Sequence, residues 1–179
     1  PPRSTPKPSS AASDVYKRQF MLWAKKTFPI LSAILIAYFP WQTYSQIAQN
    51  NTGRSDSELF VLSASGKHKF KVEIAKTPRE QKIGLMYRTK LDQNAGMLFD
   101  YGALTKIQMW MKNTFIPLDM IFINNQGIIE SFHERTVPKS LKIISSQGPV
   151  RAVLEVNAGT ISRLKIKVGD RIYHKIFYK

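Results

Sequence analysis

Cysteine is absent from this 179-residue chain, histidine occurs three times, and 12 acidic residues face 27 Lys and Arg. The missing cysteine excludes thiol catalysis, cysteine-ligated zinc and disulfide staples. His68, His133 and His174 are far apart and show no metal-ligand spacing, so each is expected at the surface. No metal and no cofactor is implied. There is no Ser-His-Asp order and no glycine-rich phosphate loop. No apolar run reaches the roughly 20 residues of a spanning helix. The formal net charge is +15, but from Gln46 onward the cations are scattered singly, which argues against a nucleic-acid footprint.

What is present falls into four parts. Residues 1–19 are rich in Pro, Ser, Ala and cations without apolar periodicity, a composition that cannot bury enough surface to fold. Asp14 to Gln19 also looks like a translated sequencing-library adapter, so residues 1–19 are expected to be an artefactual or disordered tail. Residues 20–45 read as a signal peptide or membrane anchor. Lys25 and Lys26 precede an uncharged apolar run from Phe28 to Trp41, and the small residues Thr43 and Ser45 follow it. The run holds 14 residues, including Pro29 and Pro40. That favours a signal cleaved near Ser45–Gln46 over an inner-membrane anchor. Either reading exports the domain, to the periplasm, the medium or the outward face of the inner membrane. Residues 46–57 are polar and read as a linker, and 58–179 as a single β-rich domain. From Gln46 onward 21 Lys and Arg face 11 Asp and Glu, so this part is basic in its own right. Anionic surfaces such as lipid headgroups would attract it.

Short strands with turn signals between them dominate the domain. Leu59 to Ala64 and Lys69 to Ala75 read as a hairpin around Ser65-Gly66-Lys67, with Phe70, Val72 and Ile74 alternating against Lys69, Lys71 and Glu73. Thr77-Pro78-Arg79-Glu80 is a capping box with proline at the first helical position. It predicts a helix to about Met86, with Ile83 and Met86 inward. Gly84 inside that helix implies close approach of another backbone. Further strands are expected at 96–101, 106–112, 118–123, 128–132, 150–156 and 170–178, with a helical turn over 162–166. The pattern predicts a mainly β, compact single-domain sandwich or barrel with one or two short helices.

The block Trp110-Met-Lys-Asn-Thr-Phe-Ile-Pro-Leu-Asp119 stands out, because Lys112, Asn113, Thr114, Pro117 and Asp119 alternate with large apolar residues. Apolar packing around a few polar groups is how small-molecule pockets are made, and also how tight turns are made. Trp110, Lys112, Asn113 and Asp119 are the candidate ligand-binding set, with a turn at Pro117 returning Asp119 toward Lys112. The bland alternative is an internal ion pair with Asn113 bonded to turn backbone. Glu155 follows Val153-Leu154 in an apolar strand and needs a partner if buried. Arg88 or Lys112 could supply one. Glu155 with Asp119 could also form an acid/base pair for hydrolysis. Met86, Met97, Met109, Met111 and Met120 are expected as core fillers, with Cu(I) binding the alternative.

Glu80, Gly84-Leu-Met-Tyr-Arg88, Gly96-Met-Leu-Phe99, Trp110-Met-Lys-Asn-Thr114, Ile116-Pro-Leu-Asp119, Val153-Leu-Glu155, Ala158-Gly159 and Gly169-Asp170 together resemble domain of unknown function 192, an uncharacterised bacterial and archaeal family, over about residues 70–176. The chain departs from that family's pattern at Gln81, where arginine is usual, and at Met109, where an aromatic is common. The resemblance implies a compact, mainly β domain and no particular activity. The expected function is an envelope binding or accessory module for a small polar or anionic ligand. Trp110, Lys112, Asn113 and Asp119 would bind, and Arg88, Glu155 and Glu80 would support them. A membrane surface is a second candidate partner, and nucleic acid is not expected. The alternatives are an envelope hydrolase using Asp119 or Glu155, and a structural protein with no ligand site.

Overall fold

The computed structural model describes residues 56–178. The expected tail, the export segment and nearly all of the linker lie outside the described residues. In chain order the elements are β1 (Asp56–Ser63), β2 (Gly66–Ala75), α1 (Pro78–Ile83), β3 (Ala95–Thr105), β4 (Gln108–Met109), β5 (Leu118–Ile123), β6 (Ile129–His133), β7 (Ile144–Ser145), β8 (Val150–Asn157), α2 (Thr160–Arg163) and β9 (Arg171–Tyr173), followed by a 3-10 turn, Lys175–Phe177. The protein is mainly β with two short helices. A seven-stranded sheet of order β6-β5-β8-β3-β2-β1-β9 curls into a half-barrel, and β4 and β7 form a separate ribbon.

Turn and cap chemistry act where the sequence places them. β1 and β2 form the hairpin, with Ser63 opposite Gly66. Thr77 caps α1, its hydroxyl accepting from the Glu80 amide, and the Glu80 carboxylate accepts from the Thr77 amide. α1 ends at Ile83, short of Met86, because Gly84 turns to φ +48° and Tyr87 to φ +64°. What approaches Gly84 is the Phe99 ring rather than a backbone: a Cβ there would meet it at 3.0 Å. The crossover through α1 makes β2 and β3 parallel, the one parallel pair in the sheet.

The two sheet faces carry two cores. One face, enclosed by the curl, holds Leu59, Phe70, Val72, Leu98, Ile121, Leu154 and Val156, plugged by Ile161, Leu164 and Ile166 from α2 and the loop after it. The other holds Met97, Phe99, Met120, Phe122 and Val153, covered by Leu85, Ile107, Met109 and Met111. Each large apolar side chain buried this way contributes about 1.5–3 kcal/mol. The sheet edges meet at one end. Ile128 bridges to Arg171, and the Ile172 amide donates to the Gly127 carbonyl at 2.7 Å.

Two strand expectations are corrected. Residues 106–112 pair as a strand only at Gln108–Met109, with Ser145 and Ile144 opposite. Their alternation reflects an extended cover segment that buries Ile107, Met109 and Met111 and exposes Lys106, Gln108, Trp110 and Lys112. The last strand stops at Tyr173, where His174 caps the 3-10 turn. His174 is buried rather than at the surface, its Nε2 2.8 Å from the Ser57 hydroxyl.

Candidate functional site

Alternation along the cover segment fixes where the Trp110 block points. Because Met109 and Met111 face the core, Trp110 and Lys112 project outward together. The Lys112 ammonium lies 5.2 Å from the centre of the Trp110 ring, within cation–π range. Asn113 then takes φ +56°, a conformation asparagine tolerates better than most residues. Its carbonyl accepts from the Tyr87 amide at 2.8 Å and its side-chain amide donates to the Tyr87 hydroxyl at 2.9 Å. Tyr87 meets Phe115 edge-on at 6.1 Å. Lys139 lies 5.2 Å from the Phe115 centroid, and its amide donates to the Thr114 carbonyl. The Met111 amide donates to the Ser140 carbonyl, which ties residues 136–146 to the cover segment. Trp110, Lys112 and Asn113 are therefore brought together, on a surface that also includes Tyr87, Phe115 and Lys139.

Asp119 does not join them. It is fully buried on the enclosed face, opposite Val156. One carboxylate oxygen accepts from the Arg135 amide at 2.8 Å and the other from the Ile161 amide at 2.9 Å. α2 has no side-chain cap of its own, since Gly159 stands at its N-cap. Asp119 supplies that cap from across the fold. The expected approach of Asp119 to Lys112 is corrected: Asp119 is held by backbone amides on the other side of the sheet.

Glu155 lies on the second face, in a register row running Glu73, Met97, Glu155, Met120, His133 across five strands. Arg88 pairs with Glu73 rather than Glu155. Its guanidinium donates to both carboxylate oxygens, at 2.5 and 2.6 Å. Lys112 faces solvent and does not reach Glu155 either. Among the described residues no hydrogen bond to the Glu155 carboxyl is formed, and the residue is 4% exposed. Burial pushes this carboxyl up to about 8. The Tyr101 phenol is pushed up to about 12, first by burial and then by Glu155. It donates to the Met109 sulfur at 3.5 Å. Glu155 is thus a carboxylic acid, largely protonated at neutral pH, among thioethers and a phenol. Glu80 serves the α1 cap and stands apart from this group.

Met97, Met109, Met111 and Met120 all lie in the core on this face, with Met97 and Met120 the cross-strand neighbours of Glu155. The Met111 sulfur accepts from the Thr136 hydroxyl at 3.1 Å. Among the described residues no group of three or more His, Asp or Glu side chains could hold a metal ion. A depression of about 430 Å³ opens beside the β5–β6 turn, lined by Asn124, Gln126, Glu130 and Gln147 among others, and no expected site residue lines it. The residues that the sequence reading missed are Tyr87, Phe115, Lys139 and Tyr101. Tyr87 and Phe115 lie within quoted motifs but were given no role, and the left-handed turns at Tyr87 and Asn113 accompany the meeting of their rings.

A family model described as "Uncharacterized ACR, COG1430", domain of unknown function 192, matches residues 60–174. A structure from Sinorhizobium meliloti 1021, described as a proposed transcription regulator, is 44% identical with a TM-score of 0.67, covering 69% of this chain and 96% of that one. A protein of unknown function from Novosphingobium aromaticivorans is 38% identical with a TM-score of 0.67, covering 68% of this chain and 87% of that one. No curated protein matches the chain.

Proposed function

The chain belongs to the uncharacterised family of domain of unknown function 192, and from that premise we propose that it is an extracytoplasmic binding module whose recognition face is the aromatic and lysine surface around Trp110. One observation carries the reading. Of the eleven large apolar side chains that stand exposed among the described residues, six (Tyr87, Trp110, Phe115, Val137, Leu141 and Ile143) lie on three adjoining segments. Clustered exposed apolar groups mark interaction surfaces. Lysines laid over the rings select a partner that is anionic as well as apolar. Placement outside the cytoplasm rests on the sequence of residues 20–45. The test is a thermal-shift screen against anionic envelope components, comparing wild type with Lys112→Ala. Hits that stabilise wild type and lose at least half their shift in the variant support the reading. Equal shifts in both proteins, or no hits, count against it.

Glu155 favours a second reading, an envelope hydrolase with Glu155 as proton donor. Its expected partner Asp119 is on the other face, so Glu155 would act without it. Hydrolysis of any envelope ester or glycoside by wild type, abolished in Glu155→Gln with the fold intact, would establish it in place of the binding module.

A further inference from the structure

We infer that the Trp110 face docks on the surface of an anionic lipid bilayer; this rests on the binding reading above and names its partner. The shape of the face argues for a bilayer over a small ligand. Small ligands are gripped by concave sites, whereas here the apolar groups project from turns and loop tips. Val137 is 69% exposed and Leu141 66% exposed, the two highest values among the described large apolar residues. Ile143 follows on the same loop, and continuing the Met109–Ile144 register sets Trp110 opposite it. Tryptophan, tyrosine and phenylalanine side chains with nearby lysines are what the headgroup region of a bilayer accommodates, rings at the boundary and ammonium groups among the phosphates.

Charge is arranged to match. From Tyr101 to Leu118 and from Arg135 to Leu154 there is no acidic residue, while Lys112, Lys139 and Lys142 stand exposed among the apolar tips. Lys112 and Lys139 are held over the Trp110 and Phe115 rings, so charge and apolar surface would enter the interface as one unit. Two of the three segments of this face carry no carboxylate to repel anionic lipid, and beside the third Arg88 holds Glu73 in an ion pair.

The experiment uses the chain from Gln46 onward. The described residues close one sheet over two cores, and a solved chain 44% identical is matched over 96% of its own length, so a piece of this size is expected to fold. Trp23 and Trp41 are then removed, and Trp110 is the sole tryptophan. Its emission is recorded with vesicles of phosphatidylglycerol and phosphatidylcholine, with phosphatidylcholine alone, and with bromine-labelled lipid. We expect a blue shift and bromine quenching on the anionic vesicles, binding at least tenfold weaker to the neutral ones, and about a fivefold loss for each of Lys112→Gln, Lys139→Gln and Lys142→Gln. Leu141→Ser with Ile143→Ser, both at exposed sites, should weaken binding without changing the melting temperature. Vesicle binding with unchanged Trp110 emission overturns the proposal, as does absence of binding. Binding to soluble glycerol phosphate polymer or duplex DNA but not to vesicles overturns the bilayer and leaves the recognition face standing. A lipid-independent, concentration-dependent blue shift identifies a second copy of the chain as the occupant and overturns both.

Discussion

Asp119 and Glu155 sit one residue out of register on neighbouring strands and therefore face opposite sides of the sheet: Met120 is opposite Glu155, and Asp119 is opposite Val156. The two buried acids meet different fates. Asp119 is satisfied by two backbone amides, whereas Glu155 lies between Met97 and Met120 with its carboxyl pushed up by burial.

Glu155 makes stability depend on pH. Its carboxyl is held up to about 8, against an ordinary value of 4.5. Below about 4.5 the folded and unfolded chains both carry the proton. As pH rises from there to about 8 the unfolded chain loses it first, so stability falls across that window and then levels off. The limit of the loss is roughly 5 kcal/mol. Urea denaturation between pH 4.5 and 9 should show this fall in wild type and much less of it in Glu155→Gln. A flat wild-type profile would refute the assignment.

Asp119→Ala leaves the Arg135 and Ile161 amides without their buried acceptor. A cost of about 2–4 kcal/mol is expected, since each orphaned donor costs about 1–3 kcal/mol. Hydrogen exchange should locate it, with Ile161 and its α2 neighbours exchanging faster while β2 and β3 stay protected.

Gly127→Ala tests the closure of the half-barrel. The residue has φ +80°, and a Cβ would come within 2.4 Å of the Ile172 carbonyl. The loop cannot keep both its conformation and its bond to β9. A loss of about 2 kcal/mol or more is expected by thermal melting. Gly102→Ala is the control: its φ is +76°, but nothing lies within 4 Å, so only backbone strain of about 1 kcal/mol remains.

Arg88→Lys should cost about 1 kcal/mol. Lysine cannot reproduce the two-point grip on Glu73, and partial exposure of both side chains, 24% and 20%, keeps the figure small. The double variant with Glu73→Gln should restore part of the loss in a denaturation cycle. Strict additivity would mean the pair does not interact.

Local chemistry was legible in the sequence. The hairpin, the capping box of α1 and the bounds of β5 follow from turn residues, caps and alternation, all short-range signals. The mainly β class follows from them. The departures arise where distant strands decide. Glu155 took Arg88 or Lys112 as its expected partner because nothing local announces that β8 inserts between β3 and β5, leaving Glu73 within reach of Arg88 and Glu155 between two methionines. Asp119 read as a ligand group because its acceptors' partners are backbone amides, which no residue type reveals. Residues 106–112 alternate like a strand because a cover segment must also bury every second side chain, yet only Gln108 and Met109 enter a strand ladder. Within the Trp110 block, Lys112 and Asn113 stay on the outer surface with Trp110, whereas Asp119 is held on the other side of the sheet.

The contact between Ser57 and His174 has an architectural consequence. β1 opens the described domain, β9 nearly ends it, and the two are antiparallel neighbours joined at that contact. Both ends of the domain therefore leave through one doorway. Such a body can be spliced into a host loop, or circularly permuted by linking its ends and reopening an exposed turn such as Gly102, without unthreading any strand.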